Sequence, residues 1–304
     1  NVDQVAAIRE MCPELPTENI VAEPVGRDTA AAVGLAALLV EQRNREGVFA
    51  ILPSDHVVRD AYGFRRVLTK AFELAAMGNH LVTIGIEATH PATGYGYIEK
   101  GDPLRASSGA ALGNKIERFV EKPDLETAKA YIGTGRFLWN AGMFVWSVHS
   151  IHAAMSLHHP SLANGLERIR KLLRDGKGLE EVLSAEYSAL DRISIDYAIM
   201  EKASNAVVIP SEFDWDDVGE WPAIERHFDK DPSGNISRGL AIALDSHNNI
   251  VYNDGDRVTA LLGVEDLIVV HTADATLVCP RSKAQEIKRV LNELRDRKET
   301  RRFL

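Results

Sequence analysis

Cysteine is nearly absent from this chain of 304 residues: Cys12 and Cys279 stand alone, with no CxxC pair. That speaks against a disulfide scaffold and a cysteine zinc site, and it suits a reducing, cytoplasmic compartment. None of the ten histidines pairs with another at ligand spacing beside a supporting acid, and no Ser/His/Asp or Cys/His arrangement is visible. Long apolar runs are lacking too. None reaches the roughly 18 residues of a membrane span, and no signal-peptide pattern is seen, so no membrane partner is expected. Positive charge is in deficit, with a formal net charge of -9. A nucleic-acid partner is therefore not expected, although a local basic pocket for one small phosphorylated ligand is allowed.

What is present is a globular composition, 45% hydrophobic and 26% charged, long enough for one large domain with a smaller appendage. Helical and strand patterns alternate as in an α/β fold with a mainly parallel sheet. Residues 2–11 read as a helix and NIVAEP at 19–24 as a strand. Asp28 or Thr29 can cap a long alanine-rich helix, VFAILP at 48–53 reads as a buried strand, a helix follows over 60–77, and LVTIGI at 81–86 is a strand. Strands linked by glycine turns are expected over 95–101, 115–123 and 142–148. Helices follow over 149–203, interrupted at Pro160 and Gly176–Gly178, before a strand at 205–210. The breaker cluster DPSGN at 231–235 sets the expected boundary between residues 1–230 and a small β-rich domain, 231–304. Its short strands fit an irregular β-helix or β-roll, and the mixed-charge helix at 283–299 carries an apolar stripe that can pack on this domain or on a second copy of the chain.

Two acidic loops stand out, LPSDH at 52–56 and FDWDDVGEW at 213–221. Magnesium is a hard ion that keeps several waters and is commonly held by one or two carboxylates plus substrate phosphates. Asp55 and Asp217 fit that sparse arrangement. For either loop alone, turn capping is the favoured reading; with the remaining motifs, the metal reading is favoured.

Seven segments in order carry a resemblance: EPVGRDTAAA at 23–32, LPSDH, TGYGYI at 93–98, FVEKP at 119–123, WNAGMF at 139–144, SIDYAIMEK at 194–202 and FDWDDVGEW. Together they resemble the mannose-1-phosphate guanylyltransferases (GDP-mannose pyrophosphorylases). The resemblance implies a Rossmann-like, GT-A-like nucleotidyltransferase domain, with a mixed, mainly parallel sheet and flanking helices. It also implies a small C-terminal β-helix-like domain with a terminal helix. The implied substrates are GTP and mannose 1-phosphate, the cofactor Mg2+, and a homodimer through the C-terminal region stays open.

By the same resemblance Glu23, Pro24, Arg27, Asp28, Thr29 and Ser54 belong to the nucleotide side. Gly94, Tyr95, Glu121, Asn140, Gly142 and Asp196 belong to the sugar side, Lys122 meets the sugar phosphate, and Asp55 and Asp217 hold the metal. Chemistry agrees at Glu23, because an ionised carboxylate accepts only and guanine offers its N1–H and N2–H2 donors side by side. The competing readings are ordinary: helix capping by Asp28 and Thr29, a hairpin turn at TGYGYI, a surface ion pair at Glu121 and Lys122, and a solvated loop acid at Asp216. Trp139, Met143 and Phe144 read as packing residues.

The implied reaction needs no protein base. A phosphate monoester with a second pKa of about 6 is already largely ionised at neutral pH, so the barrier lies in aligning two polyanions. One departure stands against the resemblance. The family's glycine-rich phosphate loop, with its arginine and downstream lysine, has no counterpart here, and at least one βα unit of roughly 30 residues is expected upstream of Asn1. Hence a catalytically silent, sugar-nucleotide-binding regulatory subunit remains open, as does a transferase for another nucleotide or another hexose 1-phosphate. Residues 236–304 are too short and irregular for a fused isomerase domain.

Overall fold

The computed structural model describes residues 2–105, 109 and 111–303. The chain divides into two compact units, one of Asn1–Ser54 with Val58–Trp215, the other of Asp55–Val57 with Asp216–Leu304.

The first unit is a three-layer α/β/α arrangement. Helix α1 (Val5–Met11) follows a 3-10 turn, and α2 (Asp28–Arg43) buries Ala30, Ala31, Val33, Leu35, Ala37 and Leu38. Gly34 lets α2 approach its neighbour closely, since a Cβ there would meet Leu166 Cδ1 at 2.3 Å. Strand β1 (Val48–Ile51) leads toward the LPSDH loop. Next come α3 (Ala61–Ala76), capped by Asp60, whose carboxylate accepts the Gly63 N–H at 2.9 Å, and β2 (Leu81–Glu87). Three longer strands, β3 (Tyr97–Arg105), β4 (Ala111–Val120) and β5 (Phe137–Ser147), enclose α4 (Leu125–Thr134), which ends at left-handed Gly135. Then come α5 (Val148–His158), α6 (Pro160–Arg174), α7 (Leu179–Glu186) and β6 (Ala206–Pro210).

Strand order is β1-β5-β2-β6-β4-β3, and β5 also pairs with β3. Only β2 and β6 are parallel among the described pairs, so the sheet is mixed with a smaller parallel share than the alternation of elements led us to expect. The cause is β5, which runs antiparallel between β1 and β2 and also antiparallel to β3. Side chains along β5 alternate between two cores. Leu138, Phe144 and Trp146 join α2, α5, α6 and α7 on one face, while Trp139, Ala141, Met143 and Val145 join α3 on the other. Burial on both faces explains the unbroken apolar reading of β2.

The expected strand at 19–24 does not form. Thr17–Asn19 is a 3-10 turn, and the chain beyond it runs extended without a strand partner. Half-buried Val21 packs on the core, and Glu23 is directed to a side-chain partner instead.

The second unit stacks short strands: β7 (Ile236–Arg238), β8 (Leu240–Leu244), β9 (Ile250–Asn253), β10 (Val258–Leu262), β11 (Leu267–His271) and β12 (Thr276–Pro280). β7, β9 and β11 pair in parallel, as do β8 and β10, while β12 closes antiparallel on β11. Buried asparagines tie successive rungs. Asn235 Nδ2 donates to the Ser246 carbonyl at 2.9 Å, Asn249 Nδ2 donates to Asn235 Oδ1 at 2.9 Å, and Asn249 Oδ1 accepts the Leu267 N–H at 3.0 Å. The corners use Asp245, Asn248 and Asp266 at positive φ, residue types that tolerate the left-handed region. Helix α8 (Ile287–Asp296) ends the unit after a 3-10 stretch, Arg281–Glu286, so the terminal helix is shorter than 283–299.

Candidate active site

The two acidic loops, about 160 residues apart in sequence, pair through their backbones. In the second unit Val57 N–H donates to the Asp216 carbonyl at 2.8 Å and Asp216 N–H returns to the Val57 carbonyl at 3.1 Å. In the first unit the Asp214 carboxylate accepts the Asp60 N–H at 2.7 Å and the Arg59 N–H at 3.1 Å. The three acids of FDWDD therefore have separate tasks. Asp214 organises backbone. Asp216 is buried, and its carboxylate accepts from Arg226 Nη2 at 2.6 Å, Arg226 Nε, the Val218 N–H at 2.9 Å and His227 Nε2 at 2.7 Å. Burial by itself would raise the Asp216 pKa, but these donors bring it down to about 2. Asp216 is thus an anchored acid, not a solvated one.

Asp217 is half-buried and accepts the Gly219 N–H at 3.3 Å. Val218 between them holds a φ of +46°, a costly conformation for a β-branched residue, which the surrounding bonds impose. The Asp55 carboxylate is 84% exposed and lies 4.0 Å from His56 Nε2. Burial lowers the His56 pKa, against the pull of Asp55, Asp217 and Asp216, so all three carboxylates reach one imidazole electrostatically. Among the described residues no group of three or more His, Cys, Asp or Glu could cage a metal. Two carboxylates on paired loops, one of them open to water, fit a hydrated Mg2+ ion that also takes substrate oxygens.

In the first unit, the sugar-side candidates form a hydrogen-bonded knot. Asn140 Nδ2 donates to Asp196 Oδ1 at 2.9 Å, while Asn140 Oδ1 accepts from Thr83 Oγ1 and the Gly142 N–H, each at 3.2 Å. Gly142 sits at φ +65°, where a Cβ would come within 3.7 Å of Pro53 of the LPSDH loop; Ser54 beside it is exposed. Glu121, largely buried, pairs with Lys122 Nζ at 3.0 Å, and Lys122 itself adopts φ +46°. Burial first, then the Glu121 charge, raises the Asp196 pKa to about 6. The hydrogen bond to Glu121, then its charge, raises that of Lys122, which keeps the ammonium charged.

Of the two glycines in TGYGYI, the close approach belongs to Gly96, which the sequence reading passed over. A Cβ there would meet Glu121 Oε2 at 2.4 Å, whereas one at Gly94 would meet nothing within 4 Å. Tyr95 is half-buried, with Trp139 and Trp215 at ring distances of 5.0 and 5.5 Å.

Two of the nucleotide-side candidates, Glu23 and Arg27, bond to a short 3-10 turn, Tyr187–Ala189. Tyr187 Oη donates to Glu23 Oε1, and Arg27 Nη2 donates to the Ser188 carbonyl. Burial and the Glu23 contact raise the Tyr187 pKa far above its usual value, so the hydroxyl stays a donor. Neither Tyr187 nor Ser188 was accessible to sequence reasoning, because no motif surrounds them. Asp28, at φ +63°, accepts the Thr29 N–H at 2.7 Å, so it shapes the start of α2 without acting as its N-cap; Arg27 occupies that position. Thr29 Oγ1 accepts the Ile195 N–H at 2.8 Å. Pro24 is exposed.

Known proteins match the chain over most of its length. Residues 5–234 match the Nucleotidyl transferase family, and residues 239–294 match the MannoseP isomerase/GMP-like beta-helix domain. Xanthan biosynthesis protein XanB of Xanthomonas campestris pv. campestris (strain B100) is 39% identical over 284 residues, covering 91% of this chain and 57% of the relative. Mannose-1-phosphate guanylyltransferase of Escherichia coli (strain K12) is 35% identical over 281 residues, covering 92% of this chain and 58% of that protein. The chain thus spans a little over half the length of these curated relatives. A crystal structure described as mannose-1-phosphate geranyltransferase from Thermus thermophilus superposes with a TM-score of 0.80 at 37% identity, over 96% of this chain and 82% of that one.

Proposed function

The chain belongs to the nucleotidyl transferase family, alongside relatives named mannose-1-phosphate guanylyltransferase, and from that premise we propose that it serves GMP transfer from GTP to mannose 1-phosphate, forming GDP-mannose and pyrophosphate. The observation that carries this reading is the backbone pairing of Val57 with Asp216, which brings Asp55 and Asp217 onto adjoining strands of chain. The sugar phosphate oxygen attacks the α-phosphorus of GTP, the bond to the bridging oxygen breaks, and pyrophosphate departs with that electron pair. No proton needs to be removed from the nucleophile, which accords with the absence of a nucleophile-base pair among the motifs.

Asp55 and Asp217 are the residues that would hold Mg2+. Bound there, the ion offsets the repulsion between the two polyanions and stabilises charge developing on phosphate oxygens. Asn140, Glu121 and Asp196 bind hexose hydroxyls from the hydrogen-bonded knot, and Lys122 neutralises the sugar phosphate. Glu23, held by Tyr187, accepts the guanine N1–H and N2–H2 donors, a pairing that uracil and thymine lack. Arg27, with Pro24, Asp28, Thr29 and Ser54, completes the nucleotide side. A cytoplasmic location accords with the two lone cysteines; no described helix is long and apolar enough to cross a membrane. The proposal includes a homodimer through the C-terminal unit, supported by an outward apolar face of Leu240, Ile242, Leu244, Val258 and Leu262 on β8 and β10.

The experiment is a substrate matrix on the natural full-length protein. Pyrophosphate release is followed with GTP, ATP, UTP or dTTP against mannose 1-phosphate or glucose 1-phosphate, with Mg2+ and with EDTA. GTP with mannose 1-phosphate should exceed every other pair, and EDTA should abolish the signal. Equal or faster turnover with a thymidine or uridine nucleotide contradicts the assignment of Glu23. Specific binding of sugar nucleotide without turnover of any pair indicates the silent regulatory subunit.

A further inference from the structure

The SIDYAIMEK segment is not an ordinary helix. Asp196–Met200 forms a wide π-type turn in which the Glu201 N–H reaches back to the Asp196 carbonyl at 3.0 Å. Such turns disrupt the regular i to i-4 ladder and recur at functional sites. The contacts made along this segment show what the turn connects. Before it, the Ile193 carbonyl accepts the Ala30 N–H at 3.1 Å and the Ile195 N–H donates to Thr29 Oγ1 at 2.8 Å, so the start of α2 on the base side is bound twice. At its first residue, Asp196 Oδ1 accepts from Asn140 Nδ2 at 2.9 Å, on the sugar side. Just past its end, Glu201 Oε1 accepts the Glu121 N–H at 3.1 Å, fixing the backbone beside left-handed Lys122.

Ala198, Ile199 and Met200 are buried in the core, so the segment cannot yield at one end without transmitting strain to the other. We propose that residues 193–201 form a rigid strut that couples the base side to the sugar side, with Thr29 and Glu201 as positioning residues, so that nucleotide and sugar phosphate each tighten the other's binding. A bond at either end restricts the same short stretch of backbone. A ligand that seats one end of the strut in its binding position sets the other end as well, so the second ligand meets a pocket the first has already positioned, and the tightening is reciprocal.

This inference rests on the guanylyltransferase reading, and its test separates the two. Calorimetry on the natural full-length protein with Mg2+ gives the dissociation constant of mannose 1-phosphate with and without saturating α,β-methylene-GTP, whose carbon bridge blocks transfer. In the native protein the nucleotide analogue should tighten sugar phosphate binding about fivefold or more. Thr29→Val, which removes the acceptor for the Ile195 N–H, should bring that factor to about twofold or less, and Thr29→Ser should restore it. Glu201→Ala, at an exposed position, should also lower the factor while leaving the affinity for the analogue alone within about twofold of native. Binding of both ligands with no coupling, or coupling that survives Thr29→Val and Glu201→Ala, overturns the strut and leaves the functional reading standing. Failure of the native protein to bind either ligand overturns both.

Discussion

The sugar-side knot and the acidic loops solve opposite physical problems. Asn140, Asp196, Glu121 and Thr83 are half-buried or buried and bonded largely to the protein itself, so a neutral, hydroxyl-rich ligand would meet donors and acceptors already fixed in direction. Asp55 is open to water, and the groups that fix the acidic loops are other acids, Asp214 and Asp216. The difference teaches that preorganisation here is placed where specificity is needed. Under the proposed function, charge is left accessible where a hydrated ion would exchange waters and phosphate oxygens.

The largest expected effect breaks the accessible half. Asp55→Asn should lower turnover on the order of 100-fold while thermal stability stays close to native, because the side chain is exposed and its partner, His56, lies as far as 4.0 Å away. Steady-state kinetics and a melting curve on the same preparation check both parts. By contrast, Gly96→Ala perturbs the fixed half: its Cβ displaces the Glu121 carboxylate, so KM for mannose 1-phosphate should rise about tenfold with a smaller change in kcat. A fall in kcat with KM unchanged would place Glu121 in the transition state and not in ground-state sugar binding.

Glu23→Gln tests specificity on the nucleotide side. It replaces an acceptor oxygen by an N–H donor and should reduce the preference for GTP over UTP by about 1 to 3 kcal/mol in kcat/KM. An unchanged preference in a competition assay moves guanine recognition elsewhere.

Asp196→Asn sharpens the contrast through pH. The Asp196 pKa stands at about 6 in the folded protein, above its ordinary value, so its protonated form is favoured by folding. The corresponding stability is present at pH below about 4 and is lost as pH rises through 6. Asp196→Asn mimics the protonated form and still offers an acceptor to Asn140. The variant should therefore melt higher than native at pH 7 to 8, by an amount worth up to about 3 kcal/mol, and match it near pH 4. A native protein that is more stable than the variant at pH 8 contradicts the burial of this charge. The smallest expected effect concerns the second unit: Ile242→Arg should shift a dimer toward monomer in light scattering and leave single-turnover chemistry unaltered.

Long periodic elements were legible in the sequence. The helix expected at 60–77 forms over Ala61–Ala76 and the strand at 81–86 over Leu81–Glu87, because burial on one stripe or on both faces fixes their composition. The strand reading of 19–24 misled, since an apolar run records burial and not the presence of a strand partner. The direction of β5 was illegible because pairing partners are set by topology. Within the site, motif order located the loops, but Tyr187 lies 164 positions from Glu23 in an otherwise ordinary stretch, and Glu201, although inside SIDYAIMEK, lies 80 positions from Glu121 with nothing in the motif to show that the two meet. Gly94 and Gly96 are identical in type, and only three-dimensional packing shows which of them a side chain would crowd.

The central claim is that acids from two distant loops serve one metal-dependent transfer. It is tested most directly by following GTP and mannose 1-phosphate with 31P NMR in the presence of Mg2+, using native full-length protein and Asp217→Asn. The account requires equimolar GDP-mannose and pyrophosphate from the native protein, with formation in the variant slower on the order of 100-fold although mannose 1-phosphate still binds. Sugar-nucleotide formation by Asp217→Asn at the native rate would contradict it.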